Sequence, residues 1–538
     1  MSTTTPRFAA LAGITAAAVA IGVAELTAVL TGPRSAPLVA VGGVVVDTVP
    51  EPLKQFAIDL FGRYDKLALL TGTALLLAAF AALLGVLSVR RLAVGLAGIA
   101  GFAALGVAAA LTRVDADAAD ALPSLLGAAL GAAVLWAFIA GPLELDPWPW
   151  TPPTPAPAVP APATTTGDTA PPPAGGAPLE VTDPGSRRRF LTGTGALLGA
   201  AAVTGLGGHW LAGRRGVSAA RQAVVLPAPA SPAPALPAGA DLSLTQLAPY
   251  VTSNVGFYRI DTALVVPQVD PETWQLRIHG RVRRPLTISF AELLARPMVE
   301  RYVTLACVSN EVGGDLIGNA RWLGVPIRDL LDEAEPEEGA DQVVGRSVDG
   351  WTCGTPTAAL RDGRDALLAV GMNGEPLPIE HGFPVRMVVP GLYGYVSACK
   401  WVTELELTSF ADFDAYWVPR GWSAQGPIKT QSRIDAPRAR NRLTAGRVVV
   451  AGVAWAQQRG IRRVEVRVDD GPWQDAVLAP TVSVDTWVQW SWGWDATPGE
   501  HRLQVRATDA AGETQTAREQ DVAPDGATGW HTVTVTVR

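Results

Sequence analysis

Apolar positions follow two regimes along the chain. Up to about residue 211 they come in unbroken runs, and from about residue 244 they fall into short stretches split by turn residues. Four early runs, residues 8–30, 67–89, 92–111 and 123–141, and a fifth at 190–211 reach the roughly 20 residues a bilayer-spanning helix needs. Basic residues set their direction, because they favour the cytoplasmic side. Arg7 precedes the first run, Arg90-Arg91 separate the second and third, and Arg187-Arg188-Arg189 precede the fifth. One alternating topology places all three clusters inside, with the N-terminus inside and everything after residue 211 outside. Arg214 and Arg215 argue weakly against it. Residues 145–182, rich in Pro, Ala and Thr, cannot bury a core and predict an extended linker, as do residues 226–237.

Beyond residue 244 the periods shorten. Residues 274–280 alternate with period two and predict a strand. Ser289 followed by Glu292 predicts a capped helix start, and residues 325–331 lead into another short helix. The mixture is α+β, without the regular βαβ alternation of a dinucleotide-binding sheet and without a GxGxxG word after a strand. From about residue 426 five strand-like runs, 447–455, 464–469, 487–494, 502–508 and 531–537, are split by glycine-containing turns. That spacing predicts an Ig-like β-sandwich.

Composition sharpens this picture in three places. Mean hydropathy is +0.22, in keeping with a membrane part, and the net charge of −7 leaves no basic footprint for nucleic acid. Three cysteines, Cys307, Cys353 and Cys399, make an odd count and no disulfide framework. Cys353 and Cys399 read as buried thiols. None of the five histidines lies in the first four spans, so these helices do not look like a haem-carrying cytochrome. Glu25 inside the first span is costly in lipid, but as one residue it supports no mechanism.

Cys307 ends an apolar strand in Thr304-Leu305-Ala306-Cys307-Val308-Ser309-Asn310, just where the chain turns polar and glycine-rich. Taken alone it would be a small core residue. The words Trp322-Leu323-Gly324-Val325-Pro326-Ile327 and His381-Gly382-Phe383-Pro384-Val385-Arg386 follow it. This set resembles the sulfite oxidase family of molybdopterin enzymes, in its membrane-anchored bacterial branch related to the methionine sulfoxide reductase catalytic subunit. The resemblance covers about residues 254–538.

The resemblance implies a role for each word. Cys307 supplies the soft thiolate that a molybdenum centre wants. His381 and Arg386 serve the phosphate of the pterin tail, which wants cationic or N–H donors. Lys400, before Trp401, matches the family lysine, and Ser397 falls among the backbone contacts; this loop reads one residue longer than in sulfite oxidases. Asn254, Phe257, Tyr258 and Arg259 correspond to the segment along the pterin. Asn310 corresponds to the asparagine of Cys-x-x-Asn, and Ser347 and Asp349 to the next pterin-lining strand. Trp422 falls, by its spacing from Trp417, where the family has a tyrosine near the metal. The front word Arg259-Ile260-Asp261 departs from the family's anion-binding Arg-Asn-His.

The expected architecture is therefore multi-domain: N-terminal transmembrane α-helices, an α+β sulfite-oxidase-type molybdopterin domain, then an Ig-like β-sandwich. Its boundaries are 1–144 for a four-helix transmembrane region, 145–186 for the Pro/Ala-rich linker and 187–240 for an anchor helix and linker. Residues 241–425 form the molybdopterin-binding oxidoreductase domain, and 426–538 an Ig-like domain of the sulfite-oxidase dimerisation type. Ser186-Arg187-Arg188-Arg189-Phe190-Leu191 matches the twin-arginine export pattern, which suits a domain that takes up its cofactor before crossing the cytoplasmic membrane.

The function expected is two-electron oxygen-atom transfer on a small substrate outside the cytoplasmic membrane, a sulfoxide or N-oxide rather than sulfite. Electrons pass to or from a separate electron-transfer protein or quinone, and the C-terminal domain leaves room for a homodimer. The rival reading is a non-enzymatic surface receptor or adhesion protein that retains the fold. A hydrolytic role for Cys307 ranks last, since no catalytic Cys–His word is evident.

Overall fold

The computed structural model describes residues 4–49, 65–113, 116–143, 184–214 and 217–538, and the chain divides into two compact units, Met1–Arg215 and Gly216–Arg538. The expected linker at 145–182 lies outside the described residues. The first unit holds α1 (Thr4–Thr31), α2 (Pro37–Thr48), α3 (Asp65–Ser88), α4 (Leu92–Leu111), α5 (Leu122–Ala140) and α6 (Pro184–Arg214). Among the described residues five helices are long and apolar enough to cross a membrane: Pro6–Thr31, Thr71–Ser88, Leu92–Leu111, Ala118–Ala140 and Arg188–Gly208. They correspond to the five apolar runs. The short α2 was not anticipated.

Helix α1 lies against α3, α5 and α6 and buries Ala9, Ala12, Ala16, Ala24 and Ala28. Small residues let helix backbones approach where lipid offers no hydrophobic drive between them. Gly13 and Gly85 show the limit: a Cβ on either would meet the other's backbone at 2.9 Å.

The front of the second unit contains β1 (Gln275–Gly280), β2 (Leu286–Ser289), β3 (Val299–Ala306), β4 (Ile317–Pro326) and β5 (Gln342–Ser347). There follow β6 (Thr352–Pro356), β7 (Leu367–Met372), β8 (Glu375–Pro376), β9 (Arg386–Val388) and β10 (Val402–Thr408). They build two sheets, ordered β2-β1-β10-β5-β6 and β3-β4-β7-β8, with β9 beside β7. The strand predicted at 274–280 is β1, which buries Leu276 and Ile278 while Gln275 and Arg277 face solvent. Ser289 and Glu292 cap the helix Phe290–Leu294 reciprocally, as their spacing predicts.

Strand β3 is a sheet edge, and an uncovered edge exposes unpaired backbone groups. Two segments cover it. Glu300 N donates to Ser231 O (2.9 Å) and Ala230 N to Met298 O (2.8 Å), while Thr304 N donates to Asp485 O (2.9 Å). Residues 230–231, expected in a linker, thus pair with the sheet, because Ala and Ser retain the N–H donors that the flanking prolines lack.

The remaining strands are β11 (Gln431–Ala436), β12 (Arg442–Leu443), β13 (Gly446–Trp455), β14 (Ile461–Val468) and β15 (Gln474–Asp475). After them come β16 (Val477–Leu478), β17 (Val488–Ala496), β18 (Gly499–Asp509) and β19 (His531–Val537). Sheets β11-β13-β17-β16 and β12-β19-β18-β14-β15 share a core: Val450 and Trp490 from one meet Val466, Val505 and Val535 from the other. The five predicted runs match β13, β14, β17, β18 and β19. Trp455 and Trp487 leave this region and join the core of the front half, so both halves of the second unit are fused.

Candidate functional site

Cys307 follows the last pair of the β3–β4 ladder, Ala306↔Ile317. Its N–H donates to Leu316 O at 2.9 Å, so the ladder continues one residue into the loop. Asn310 closes the neck: its N–H reaches Cys307 O (3.2 Å) and its Oδ1 accepts from Leu316 N (2.8 Å). Cys307 is 8% exposed. Burial pushes its thiol up, against donors at Ser309 and Val308 and the nearby charge of Lys400. The Asn310 Nδ2 amide is buried and has no hydrogen-bond partner among the described residues.

The segment 252–261 has no regular structure and is held by side chains. Asn373 Nδ2 donates to Thr252 O (2.9 Å) and Asn254 Oδ1 (2.8 Å), and Asn254 Nδ2 reaches Met372 O (3.3 Å). His381 Nε2 lies 3.0 Å from Asn254 O; a carbonyl only accepts, so the imidazole proton sits on Nε2. Phe257 stacks on Tyr258 at 5.2 Å and meets His381 and Trp322 edge-on at 5.6 and 5.7 Å. Tyr258 feels both Cys307 and Arg386, and burial drives its phenol well above the usual range. Residues far apart in sequence therefore surround one ring.

Arg386 opens β9 and is 5% exposed. Its donors meet only main-chain carbonyls, those of His381 (3.1 Å), Met387 (3.3 Å) and Ala398 (3.4 Å), and its plane lies over Trp322 at 5.1 Å. Burial pulls its pKa down to about 10. No carboxylate among the described residues pairs with it. A buried cation without a counter-ion is costly, and this one is suited to a bound anion. Burial, then Arg386, hold His381 down at about 4, so it is neutral at pH 7.

Lys400 differs. Its Nζ is 2.6 Å from Asp261 Oδ2 and 3.3 Å from Glu380 O, and burial lowers its pKa to about 8 against the pull of Asp261. Asp261 also takes Arg259 Nε at 2.9 Å. One buried carboxylate thus stands between two cations.

The other predicted residues sit further back. Ser347 and Asp349 shape the β5–β6 turn, which touches residue 401 through Val348 N and Trp401 O (2.9 Å). Asp349 Oδ1 accepts from Trp351 N (3.2 Å). Ser397 is buried and uses its hydroxyl on Leu392 O (3.1 Å) or Tyr393 O (2.9 Å). Trp422 packs on Tyr395 at 5.9 Å and Trp417 at 6.2 Å. Tyr395 belongs to the short helix Gly394–Ser397, whose first residue approaches Ala306 O and the Tyr258 hydroxyl.

Sequence reasoning missed Tyr393. Its phenol is raised to about 12, by burial first, and it too feels Cys307. The word Tyr393-Gly394-Tyr395 could have drawn attention to it. Also missed was the support under the Cys307 loop, where Arg433 Nη1 donates to Gly314 O (2.6 Å) and the His531 ring packs on Gly313.

Among the described residues no three His, Cys, Asp or Glu gather to hold a metal. The protein's share would be a single thiolate, with the other ligands brought by a cofactor. A buried thiol, an aromatic wall at Phe257 and Tyr258, an unpartnered amide at Asn310 and a buried guanidinium awaiting an anion fit a pterin cofactor ending in phosphate. Cys353 and Cys399 are free and buried, in keeping with their reading as core thiols.

Comparison with known proteins agrees. Residues 263–417 match the family described as "Oxidoreductase molybdopterin binding domain". The chain is 32% identical over 272 residues to the mitochondrial sulfite oxidases of Rattus norvegicus and Homo sapiens, covering 43% of this chain and 49% of each of those proteins. The match thus spans about half the length of these curated relatives. It is 34% identical over 157 residues to the uncharacterized oxidoreductase YuiH of Bacillus subtilis (strain 168), covering 29% of this chain and 76% of that protein. Among solved structures, the sulfane dehydrogenase SoxCD of Paracoccus pantotrophus aligns with a TM-score of 0.48 and 25% identity, over 54% of this chain and 82% of that one. The chain belongs to the sulfite oxidase family of molybdenum-dependent oxidoreductases, and its cofactor is molybdopterin.

Proposed function

We propose that the second unit faces outward from the cytoplasmic membrane and catalyses two-electron oxygen-atom transfer on a neutral oxo compound, a sulfoxide or N-oxide, rather than on sulfite. For a sulfoxide the balance is one sulfoxide, two electrons and two protons giving one sulfide and one water. Electrons come from a separate protein or a quinone. The bound cofactor supplies a two-electron redox centre. Cys307 would ligate its metal, Arg386 would hold its phosphate, and Phe257 and Tyr258 would wall the pterin.

The observation that carries the substrate reading is Asp261, bonded to both Lys400 and Arg259. Among the described residues Arg386 is a buried cation left for the cofactor, while Lys400 and Arg259 share the carboxylate of Asp261. The indole of Trp422 adds an apolar surface behind Tyr395. Tyr258 and Tyr393 keep phenols near Cys307, so replacement of the family tyrosine by Trp422 does not empty the site of hydroxyls. The two-sheet region 426–538 we read as Ig-like and as the surface for a homodimer.

Steady-state kinetics of the metal-loaded chain with sulfite and with a sulfoxide panel test the substrate. Sulfite turnover near the 10⁴ M⁻¹s⁻¹ or more of a cognate pair, in order of magnitude, would sink the reading and leave the family standing. Cys307→Ser should lose activity by more than the roughly 10–100-fold typical of outer-shell partners, with altered metal spectra. Native spectra in that variant would remove Cys307 as the ligand.

A further inference from the structure

The stretch that directly follows the fifth apolar helix is built into the cofactor domain. Only residues 215 and 216 separate the end of α6 from Val217 in sequence. Residues 218–223 form a short helix, Ser218–Ala223. Val217, Ala220 and Val224 share one helical face and pack into the cluster that contains Phe257, Trp322, Leu377 and Phe383. Arg221 lies beside that face. Its Nε donates to Leu377 O (2.7 Å) and its Nη2 to Pro376 O (2.6 Å), with Glu375 Oε2 at 3.3 Å.

Those two carbonyls stand at a weak point. Pro376 and Pro378 have no N–H, so the run from β8 to His381 has few bonds of its own. Leu377 N reaches Val370 O (3.0 Å) and His381 N reaches Pro378 O (3.0 Å). The run ends on His381, which bonds Asn254 O and whose own carbonyl takes Arg386. A displacement of residues 376–378 would pass to both residues expected at the phosphate.

We propose that Arg221 is a positioning residue: it clamps residues 376–377, sets His381 and Arg386, and makes cofactor retention depend on the segment that leaves the fifth apolar helix. This rests on the reading of the site as a pterin site. The mechanism is geometric, since a guanidinium presents donors in a fixed planar fork to two successive carbonyls, and lysine keeps the charge but lacks that fork.

The test compares full-length wild type with Arg221→Met, Arg221→Lys and Glu375→Gln, each expressed with cofactor supply. Pterin and molybdenum per chain are measured together with amide exchange at residues 375–383. Arg221→Met should lose cofactor about tenfold, the scale of one charge-assisted hydrogen bond, and exchange faster at 375–383 while residues 446–537 keep their protection. Arg221→Lys should recover part of both. Glu375→Gln should match wild type, because Glu375 is 65% exposed and its ion pair is screened. Normal pterin content in Arg221→Met would overturn the proposal, and so would an equal loss in Glu375→Gln. A wild type without pterin would instead refute the cofactor reading of the site, while exchange in Arg221→Met would still report on the clamp.

Discussion

Arg386 is a buried guanidinium whose donors, among the described residues, meet only main-chain carbonyls. Such a group costs the empty protein desolvation energy and repays it when an anion arrives. Arg386→Met should therefore leave the cofactor-free protein as stable as wild type or more so, while pterin content falls by the equivalent of about 1.5–3 kcal/mol. Thermal melting of the empty form and fluorescence of released pterin read the two effects separately. A large loss of stability without loss of pterin would contradict the role. Histidines give a pH signature at the same scale. His381 and His531 are both held down at about 4, by burial first, then by Arg386 and Arg433 respectively. Between pH 6.5 and 4 the unfolded chain takes up protons that the folded one refuses, so stability falls as pH falls through that window and levels off below it. Each shift is worth on the order of 3 kcal/mol. His501, raised by its bond to Asp469, acts in the opposite sense. Melting between pH 8 and 5 should show the decline, and His531→Gln, which still offers an acceptor to Ile434 N, should flatten it.

Among the elements, the loop from Cys307 to Leu316 is the most exacting. It is tied at its neck by Asn310 and braced outside by Arg433 and His531. Gly313 has φ +80° and sits against the His531 ring, so a Cβ there would be strained by both backbone and overlap. Gly313→Ala should cost about 1–3 kcal/mol and displace the loop that carries Cys307, seen as a lower denaturation midpoint and faster amide exchange at 308–316. An unchanged midpoint would mean that the loop is free to shift. Strand β11 shows why one element escaped sequence reading. Gln431, Ser432 and Arg433 are buried polar residues, satisfied by Ala527 O, Gln515 Oε1 and Gly314 O. A pattern based on apolar alternation passes over a strand whose inward side chains are polar. The helix at Phe290–Leu294 is the opposite case, since its capping box is wholly local.

For the whole molecule, the outward placement proposed for the second unit turns on Ser186-Arg187-Arg188-Arg189-Phe190-Leu191. Replacing Arg187-Arg188 by Lys-Lys keeps the positive charge that orients a helix but spoils a twin-arginine address. The second unit should then stay inside and protected from external protease. Unchanged surface exposure would reduce the word to a topological flank.

The long apolar helices, the α+β front half and the five longest strands after residue 445 were legible from the sequence, because each is announced by a local period: long apolar runs, alternation, or a cap three residues from its partner. The family words around Cys307, His381 and Arg386 were legible for a related reason, being short and contiguous. What only the tertiary structure decided is how distant residues share charge and support. Asp261 joins Arg259 and Lys400 across 139 positions, Arg221 reaches Leu377 across 156, and Trp455 and Trp487 cross from the β-rich C-terminal region into the front core. No local pattern records these pairings. Burial makes an unpaired charge or donor expensive, so the folded chain selects among the available partners, and that selection exists only once the chain has closed on itself.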